Sequence, residues 1–163
     1  MELILLRHAK AEDHAAALPD EQRELTAKGR KRAQAISRGL RRLLNATGRI
    51  EIWASPALRS RQTADIVAEE LGGVPVKEHS AIYAGILESL IDEWRRTDAD
   101  RTIIVIGHEP YLSIWSRQLA DVSVPFKKCA AAGFTLTPPE LSGGVLRWFA
   151  GPKTLTALGE DKE

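Results

Sequence analysis

Residues 3–8 read Leu-Ile-Leu-Leu-Arg-His, an apolar run that ends abruptly in two polar side chains. A short apolar run of this kind is typical of a strand that is buried on both faces of a parallel sheet. In open α/β sheets, ligands bind just outside the carboxyl ends of such strands. Arg7 and His8 therefore lie where a strand-end site is expected.

The chain continues as an alternation of helical and strand patterns. Helical spacing of apolar residues follows Thr26, a predicted N-cap, and recurs after residues 64, 87 and 110. We predict helix ends at Asn45 to Gly48 and at Gly72–Gly73, and a turn at Pro138–Pro139. Further strands are predicted at residues 50–54, 74–78, 102–106, 134–136 and 145–149. This alternation predicts a single three-layer α/β/α domain with a mostly parallel central sheet, and the closing hairpin allows an antiparallel strand at one edge.

Length and composition limit the classes of protein to consider. The 163 residues suit one domain, predicted over residues 1–151, with a loose C-terminal tail over residues 152–163. The 23 Lys and Arg residues nearly balance 22 Asp and Glu, which disfavours a dedicated nucleic-acid-binding protein. A single cysteine, Cys129, excludes an internal disulfide framework and Cys-rich metal sites. With no signal peptide or membrane span in the sequence, we expect a cytoplasmic, soluble protein.

Cationic and imidazole side chains recur at three predicted strand ends. Arg7 and His8 follow the first strand, Arg59 follows the second, and His108 follows the strand at residues 102–106. The positive charges in such a cluster repel one another unless the cluster binds an anion, and the planar guanidinium of arginine binds phosphate well. The pattern therefore predicts a phosphate site that needs neither a metal ion nor a cofactor.

The two remaining histidines are weaker candidates for this site. His14 lies in a polar loop and His79 ends a weak strand, so we expect both to be structural or exposed, although His14 could reach the site. A His-Glu-x-x-His pattern of the kind that binds zinc does not occur in the sequence.

Three segments of the chain resemble the signatures of the histidine phosphatase superfamily, in the same order and spacing. They are Leu6-Arg7-His8-Ala9, Ser55-Pro56-Ala57-Leu58-Arg59-Ser60-Arg61-Gln62-Thr63-Ala64 and Gly107-His108-Glu109-Pro110. The segment Leu25-Thr26-Ala27-Lys28-Gly29-Arg30 and the chain length are most similar to the SixA-type phosphohistidine phosphatases. The resemblance implies the phosphoglycerate mutase-like fold.

The resemblance also implies roles for individual residues. His8 would be the nucleophile that accepts the phosphoryl group, while Arg7, Arg59 and His108 would bind its oxygens. Ala9 stands where the superfamily usually has glycine, which changes the loop but removes no reactive group. Ser55 would orient the loop before Arg59 or serve as a turn residue.

The general acid that phosphoester hydrolysis requires has no convincing counterpart in the sequence. Glu88 and Glu109 are the two candidates, although Glu88 has the position of an exposed helical residue. A phosphohistidine substrate needs less help from an acid, because imidazole is a better leaving group than an alkoxide. The chain also leaves little room for a large cap over the site, which favours a phosphorylated protein as substrate.

Basic side chains indicate how such a protein would dock. Residues 25–50 contain no acid, and Lys127 and Lys128 form a second basic segment. The cations of the first segment include Lys28, Arg30, Lys31, Arg32, Arg38, Arg41 and Arg42. They would suit an acidic partner such as a histidine phosphorelay domain, or would simply form a solvated helix face.

Three hypotheses for the function follow from the sequence. They are a protein phosphohistidine phosphatase, a phosphatase of small phosphomonoesters, and a phosphate-binding module without turnover. The presence of both His8 and His108 disfavours the third.

Overall fold

Alternating strands and helices make up the computed structural model, which describes residues 1–44, 48–96, 100–138, 141 and 143–160. The strands are β1 (Glu2–Arg7), β2 (Arg49–Ala54), β3 (Val76–Glu78), β4 (Arg101–Gly107), β5 (Ala131–Thr135) and β6 (Val145–Ala150). The helices are α1 (Ala27–Leu43), α2 (Leu58–Glu70), α3 (Ser80–Ala84), α4 (Leu87–Trp94), α5 (Tyr111–Ala120) and α6 (Pro152–Gly159), with a 3₁₀ turn at Asp20–Gln22. None of the described helices is long and apolar enough to cross a membrane.

The six strands form one sheet in the order β3-β2-β4-β1-β5-β6. Strands β1 to β4 are mutually parallel, β5 is antiparallel to β1, and β6 is antiparallel to β5. Only β5 therefore runs against the rest, and it lies one position inside the edge rather than at the edge itself. The prediction of a mostly parallel sheet is confirmed.

Each face of the sheet carries its own apolar core. Helices α3, α4 and α5 cover one face, where Trp94 and Trp115 are almost completely buried. Helices α1, α2 and α6 cover the other, where Ile36 and Leu155 are completely buried. Because β1 lies between these two layers, residues 3–6 are all buried, as a two-faced strand requires. The three-layer architecture follows from this arrangement.

The start of α1 is held against the chain that follows β1. Thr26 caps the helix, since its side chain accepts a hydrogen bond from the backbone N–H of Gly29 at 2.9 Å. A Cβ atom on Gly29 would lie 2.1 Å from the carbonyl oxygen of Lys10, so only glycine allows this approach. The helix thus begins beside the loop that carries His8.

The C-terminal segment corrects the expectation of a loose tail. Residues 152–159 form α6, which packs against α1 and buries Leu155 completely. Gly39 permits this contact, because a Cβ atom there would lie 1.8 Å from the carbonyl oxygen of Leu155. The segment of eight residues contains only three apolar ones, Leu155, Ala157 and Leu158, which is too few to give a clear periodic signal for a helix.

Several element boundaries also differ from the predictions. Strand β3 begins at residue 76 rather than 74, α5 begins one residue after Pro110, and α3 was not predicted. The predicted helix end at Asn45 to Gly48 lies mostly outside the described residues, as does Pro139 of the predicted turn.

Candidate active site

The carboxyl ends of β1, β2 and β4 lie side by side and carry the central residues of the site. Arg7 pairs with Gly107 in the parallel register, and Ala54 pairs with Ile106. His8, Ser55 and His108 are the next residues along these three strands, so they leave the sheet at one edge. The backbone N–H of His8 donates to Gly107 O at 3.2 Å, which extends the ladder into the site.

Arg59 joins the two histidines from the first turn of α2. Its guanidinium is buried, and its Nε donates to His8 Nε2 at 3.4 Å while its Nη2 lies 3.3 Å from His108 Nδ1. The two imidazole rings have centroids 5.2 Å apart. Because a guanidinium can only donate, both facing ring nitrogens act as acceptors and carry lone pairs. The site therefore combines a permanent positive charge with two neutral imidazoles.

The hydrogen bonds of His8 assign its tautomer. Nδ1 lies 2.7 Å from the carbonyl oxygen of Ala9, which only accepts, so Nδ1 carries the proton. Nε2 is then the unprotonated nitrogen, and it faces Arg59. An imidazole with this tautomer presents a nucleophilic lone pair to the site.

Electrostatics keeps His8 in its neutral form. Burial is the largest cause that lowers the pKa of His8, to about 3, and the hydrogen bond to Ala9 opposes it. The electrostatic effects of His108, Arg59 and Arg7, in decreasing order, lower this pKa further. His8 is therefore unprotonated at neutral pH.

His108 is held in the same neutral state by different partners. Its Nε2 donates to Ser55 Oγ at 2.7 Å and also lies 3.4 Å from Ser60 Oγ, which leaves Nδ1 facing Arg59. Burial first, and then the charge of Arg59, lowers the pKa of His108 to about 4. Ser55 also accepts from the N–H of Ala57 at 3.2 Å, so it both shapes the loop, as expected, and orients His108.

The hydrogen bonds of Arg7 differ from those of Arg59. Its Nη1 donates to the carbonyl oxygen of Phe126 at 2.9 Å, whereas its Nε is buried without an acceptor among the described residues. Burial lowers the pKa of this guanidinium, and the charge of Glu109 opposes the shift. A buried donor without a partner is costly, and an oxyanion in the site would satisfy it.

Asp20 is a site residue that no pattern in the sequence indicates. Its carbonyl oxygen accepts from Arg59 Nη1 at 2.9 Å and its Oδ2 accepts from Arg59 Nη2 at 3.0 Å. Arg23 pairs with its other carboxylate oxygen at 2.9 Å. Burial opposes ionisation, but the hydrogen bonds and charges of Arg23 and Arg59 outweigh it and hold the pKa of Asp20 below its ordinary value. Asp20 therefore fixes the orientation of the Arg59 guanidinium from its outer edge, and we call this ion pair the anionic brace.

Tyr83 completes this side of the site from α3, the helix that was not predicted. Its ring packs edge-on against His108 with centroids 5.7 Å apart, and its hydroxyl donates to Asp20 Oδ2 at 3.4 Å. Neither Asp20 nor Tyr83 lies in a recognisable motif, so only the fold identifies them.

The two glutamates considered as general acids have other surroundings. Glu109 accepts from the backbone N–H of Ser113 at 3.0 Å and from its hydroxyl, which ties the carboxylate to the first turn of α5. Glu88 is exposed in the first turn of α4.

The other candidate side chains have structural or surface positions. His79 caps α3 through Ala81 and bonds to Glu93, so it takes no part in the site. The exposed His14 lies 3.6 Å from Asp20 Oδ1, at the outer side of the brace. Arg61 pairs with acidic groups at the surface.

Ala9 fits the loop in which the resembled family has glycine. Among the described non-glycine residues, Ala9 is not one of those with a positive φ, so this backbone does not require glycine. Its N–H donates to Thr63 Oγ1 at 3.1 Å, and that hydroxyl donates to Arg59 O at 2.8 Å. Thr63 thereby links the loop of His8 to the helix turn of Arg59.

Comparisons with known proteins agree with this geometry. Residues 3–83 match the model of the histidine phosphatase superfamily (branch 1). An uncharacterised protein of Picosynechococcus sp. is 36% identical over 124 residues, which cover 74% of this chain and 73% of the relative.

Two solved structures share the fold over nearly their whole length. The protein histidine phosphatase SixA complexed with tungstate has a TM-score of 0.76 and 23% identity, covering 95% of this chain and 99% of that one. The putative phosphohistidine phosphatase SixA from Nakamurella multipartitia has a TM-score of 0.76 and 25% identity, covering 93% and 95%. The chain therefore belongs to the histidine phosphatase superfamily, and it is a hydrolase of the phosphatase class.

Proposed function

We propose that this protein hydrolyses phosphohistidine in a protein substrate through a covalent intermediate on His8. The observation that carries the proposal is the assigned tautomer of His8, whose unprotonated Nε2 faces Arg59 at 3.4 Å in a site with two arginines. A solved structure of similar fold is that of a protein histidine phosphatase with bound tungstate, which supports a phosphoryl substrate here.

The proposed reaction consists of two displacements at phosphorus. In the first, the lone pair of His8 Nε2 forms a P–N bond while the P–N bond of the substrate breaks, and the departing imidazole takes up a proton from solvent. In the second, water forms a P–O bond with the phosphorus of phospho-His8 and releases a proton to solvent, while the P–N bond to His8 breaks and inorganic phosphate leaves. Neutral His8 is restored, so no cofactor is consumed.

The surrounding groups would stabilise the phosphoryl group during both steps. Arg59 and the Nε of Arg7 would supply charged donors. The negative charge of a bound phosphoryl group would favour protonation of His108, which would then donate a further hydrogen bond. Preplaced positive charge is the main source of transition-state stabilisation in phosphoryl transfer. His8, His108, Arg7 and Arg59 are thus the proposed catalytic and substrate-binding residues.

The carboxylates of the site favour a phosphoramidate over an alkyl phosphate. Asp20 is held ionised by two arginines, and Glu109 is tied to Ser113, so neither is poised to protonate a leaving alkoxide. An imidazole leaving group reduces the need for such an acid. Small phosphomonoesters, the alternative substrate class, should accordingly be poor substrates.

A labelling experiment tests the proposal. Wild-type protein mixed with a radiolabelled phosphohistidine peptide and quenched in alkali should carry label on His8, and His8→Ala should lose both label and turnover. His79→Ala is the matched control, because His79 lies outside the site. Undiminished turnover by folded His8→Ala, or faster turnover of sugar phosphates than of the peptide, would refute the proposal.

A further inference from the structure

Four cationic side chains from three separate segments surround one surface cavity. Lys10 follows the loop of His8, Lys28 and Arg32 lie one turn apart on α1, and Lys128 precedes β5. The cavity has a volume of about 270 Å³, and its other lining residues are Gly29, Cys129 and Pro152. We call the four cations the basic rim.

The basic rim has no acidic counter-charge in the part of the chain that the structure describes. All four side chains belong to exposed residues, and none forms an ion pair with an Asp or Glu within residues 1–44, 48–96, 100–138, 141 and 143–160. Other surface arginines do find such partners: Arg41 pairs with Glu70 at 3.0 Å, and Arg61 pairs with Asp65 at 3.0 Å. Four uncompensated like charges around one cavity repel one another, and an anionic partner would relieve that repulsion.

The rim adjoins the candidate active site through backbone contacts. Lys10 is two residues beyond His8, and its carbonyl oxygen accepts from Thr26 N at 3.0 Å. Next to Lys128, the N–H of Cys129 donates to Arg7 O at 3.1 Å. Gly29 allows α1 to lie against Lys10, which brings the positive end of that helix to the same place. A ligand on the rim would thus bind next to the backbone segments that carry Arg7 and His8.

We propose that the basic rim docks an acidic segment of the phosphorylated protein substrate, close to its phosphohistidine. The proposal rests on the proposed function and adds to it the recognition of the substrate's charge. Carboxylates carry the charge opposite to that of the rim, while the net charge of +1 for the whole chain disfavours an extended polyanion such as a nucleic acid. Specificity would then come from the rim, and the chemistry from the strand ends.

Two synthetic phosphohistidine peptides test this proposal. One carries four Glu residues beside the phosphohistidine, and the other carries four Gln residues at the same positions. Wild-type kcat/KM should be about tenfold higher for the Glu peptide, and the ratio should fall to about twofold in Lys28→Glu/Arg32→Glu. Turnover of phosphoimidazole, which is too small to reach the rim, should be unchanged in that variant.

A second double variant controls for net charge. Arg30→Glu/Arg38→Glu makes the same charge change on exposed positions of α1 but leaves the cavity lining intact, so it should keep the wild-type ratio. Equal kcat/KM for the two peptides in the wild type, or an undiminished ratio in Lys28→Glu/Arg32→Glu, would overturn the docking proposal.

Binding measurements distinguish a failure of the docking proposal from a failure of the proposed function. Anisotropy of a labelled, unphosphorylated Glu peptide should show wild-type binding that weakens in Lys28→Glu/Arg32→Glu and persists in Arg30→Glu/Arg38→Glu. Rim-dependent binding without turnover of any phosphoramidate would overturn the proposed function and leave the docking surface standing.

Discussion

At the scale of single residues, the two buried imidazoles make a prediction about pH. His8 and His108 should show no ring titration by NMR between pH 8 and 5, because burial and the charge of Arg59 lower their pKa values to about 3 and about 4 from an ordinary value of 6.5. His8→Gln and His108→Gln would assign the resonances. A midpoint near pH 6.5 for either ring would contradict this account.

The same shifts predict how the stability of the protein depends on pH. The unfolded chain binds two protons near pH 6.5 that the folded site accepts only near pH 4 and 3. The free energy of unfolding is therefore highest above about pH 6.5, where both histidines are neutral in both states. It decreases as the pH falls toward 3, because the unfolded chain then binds more protons than the folded one. Urea unfolding at several pH values should show a weaker decline in His8→Gln/His108→Gln than in the wild type.

The carboxylates near the site should differ in their effects on turnover. Asp20→Asn should lower kcat/KM for a phosphohistidine peptide by about tenfold to a hundredfold, since it weakens the ion pair that orients Arg59.

Glu88→Gln and Glu109→Gln should each lower kcat/KM for the same peptide by less than about tenfold, because neither carboxyl is needed to protonate an imidazole.

Steady-state kinetics with the three variants would check this order. Circular dichroism would establish that each variant is folded. A loss of a hundredfold or more in either Gln variant would reveal a general acid and place small phosphoesters first among the substrates.

At the scale of elements, α6 is predicted to be part of the folded core. Leu155→Ala should lower the free energy of unfolding by about 2–5 kcal/mol, because it empties a completely buried position against α1. Lys153→Ala, on the exposed side of the same helix, should change it by less than about 0.5 kcal/mol. Urea denaturation of both variants measures the difference, and equal stabilities would show that α6 does not contribute.

At the scale of the whole molecule, the arrangement of charges predicts that activity needs no metal ion. In the proposed mechanism, Arg7 and Arg59 would supply the positive charge that a divalent cation provides in other phosphoryl-transfer enzymes. Turnover of a phosphohistidine peptide should therefore be unchanged in excess chelator. Loss of activity that one specific divalent ion restores would contradict this prediction.

The sequence by itself determined the layered fold and the grouping of the strand-end residues. Apolar runs such as residues 3–6 report burial directly, and parallel strands must bring His8, Ser55 and His108 to one edge. These features depend on local periodicity and on a general rule of sheet topology, so the order of the amino acids is enough to predict them.

Only the tertiary structure decided which side chains complete the site and where helix α6 packs. Asp20 and Tyr83 come from a 3₁₀ turn and a short helix without periodic signal, and their contacts with Arg59 and His108 depend on how those segments pack at the sheet edge. Helix α6 depends likewise on the space that Gly39 leaves on α1. Contacts between segments distant in sequence leave no local pattern, because they arise from packing rather than from the preferences of neighbouring residues.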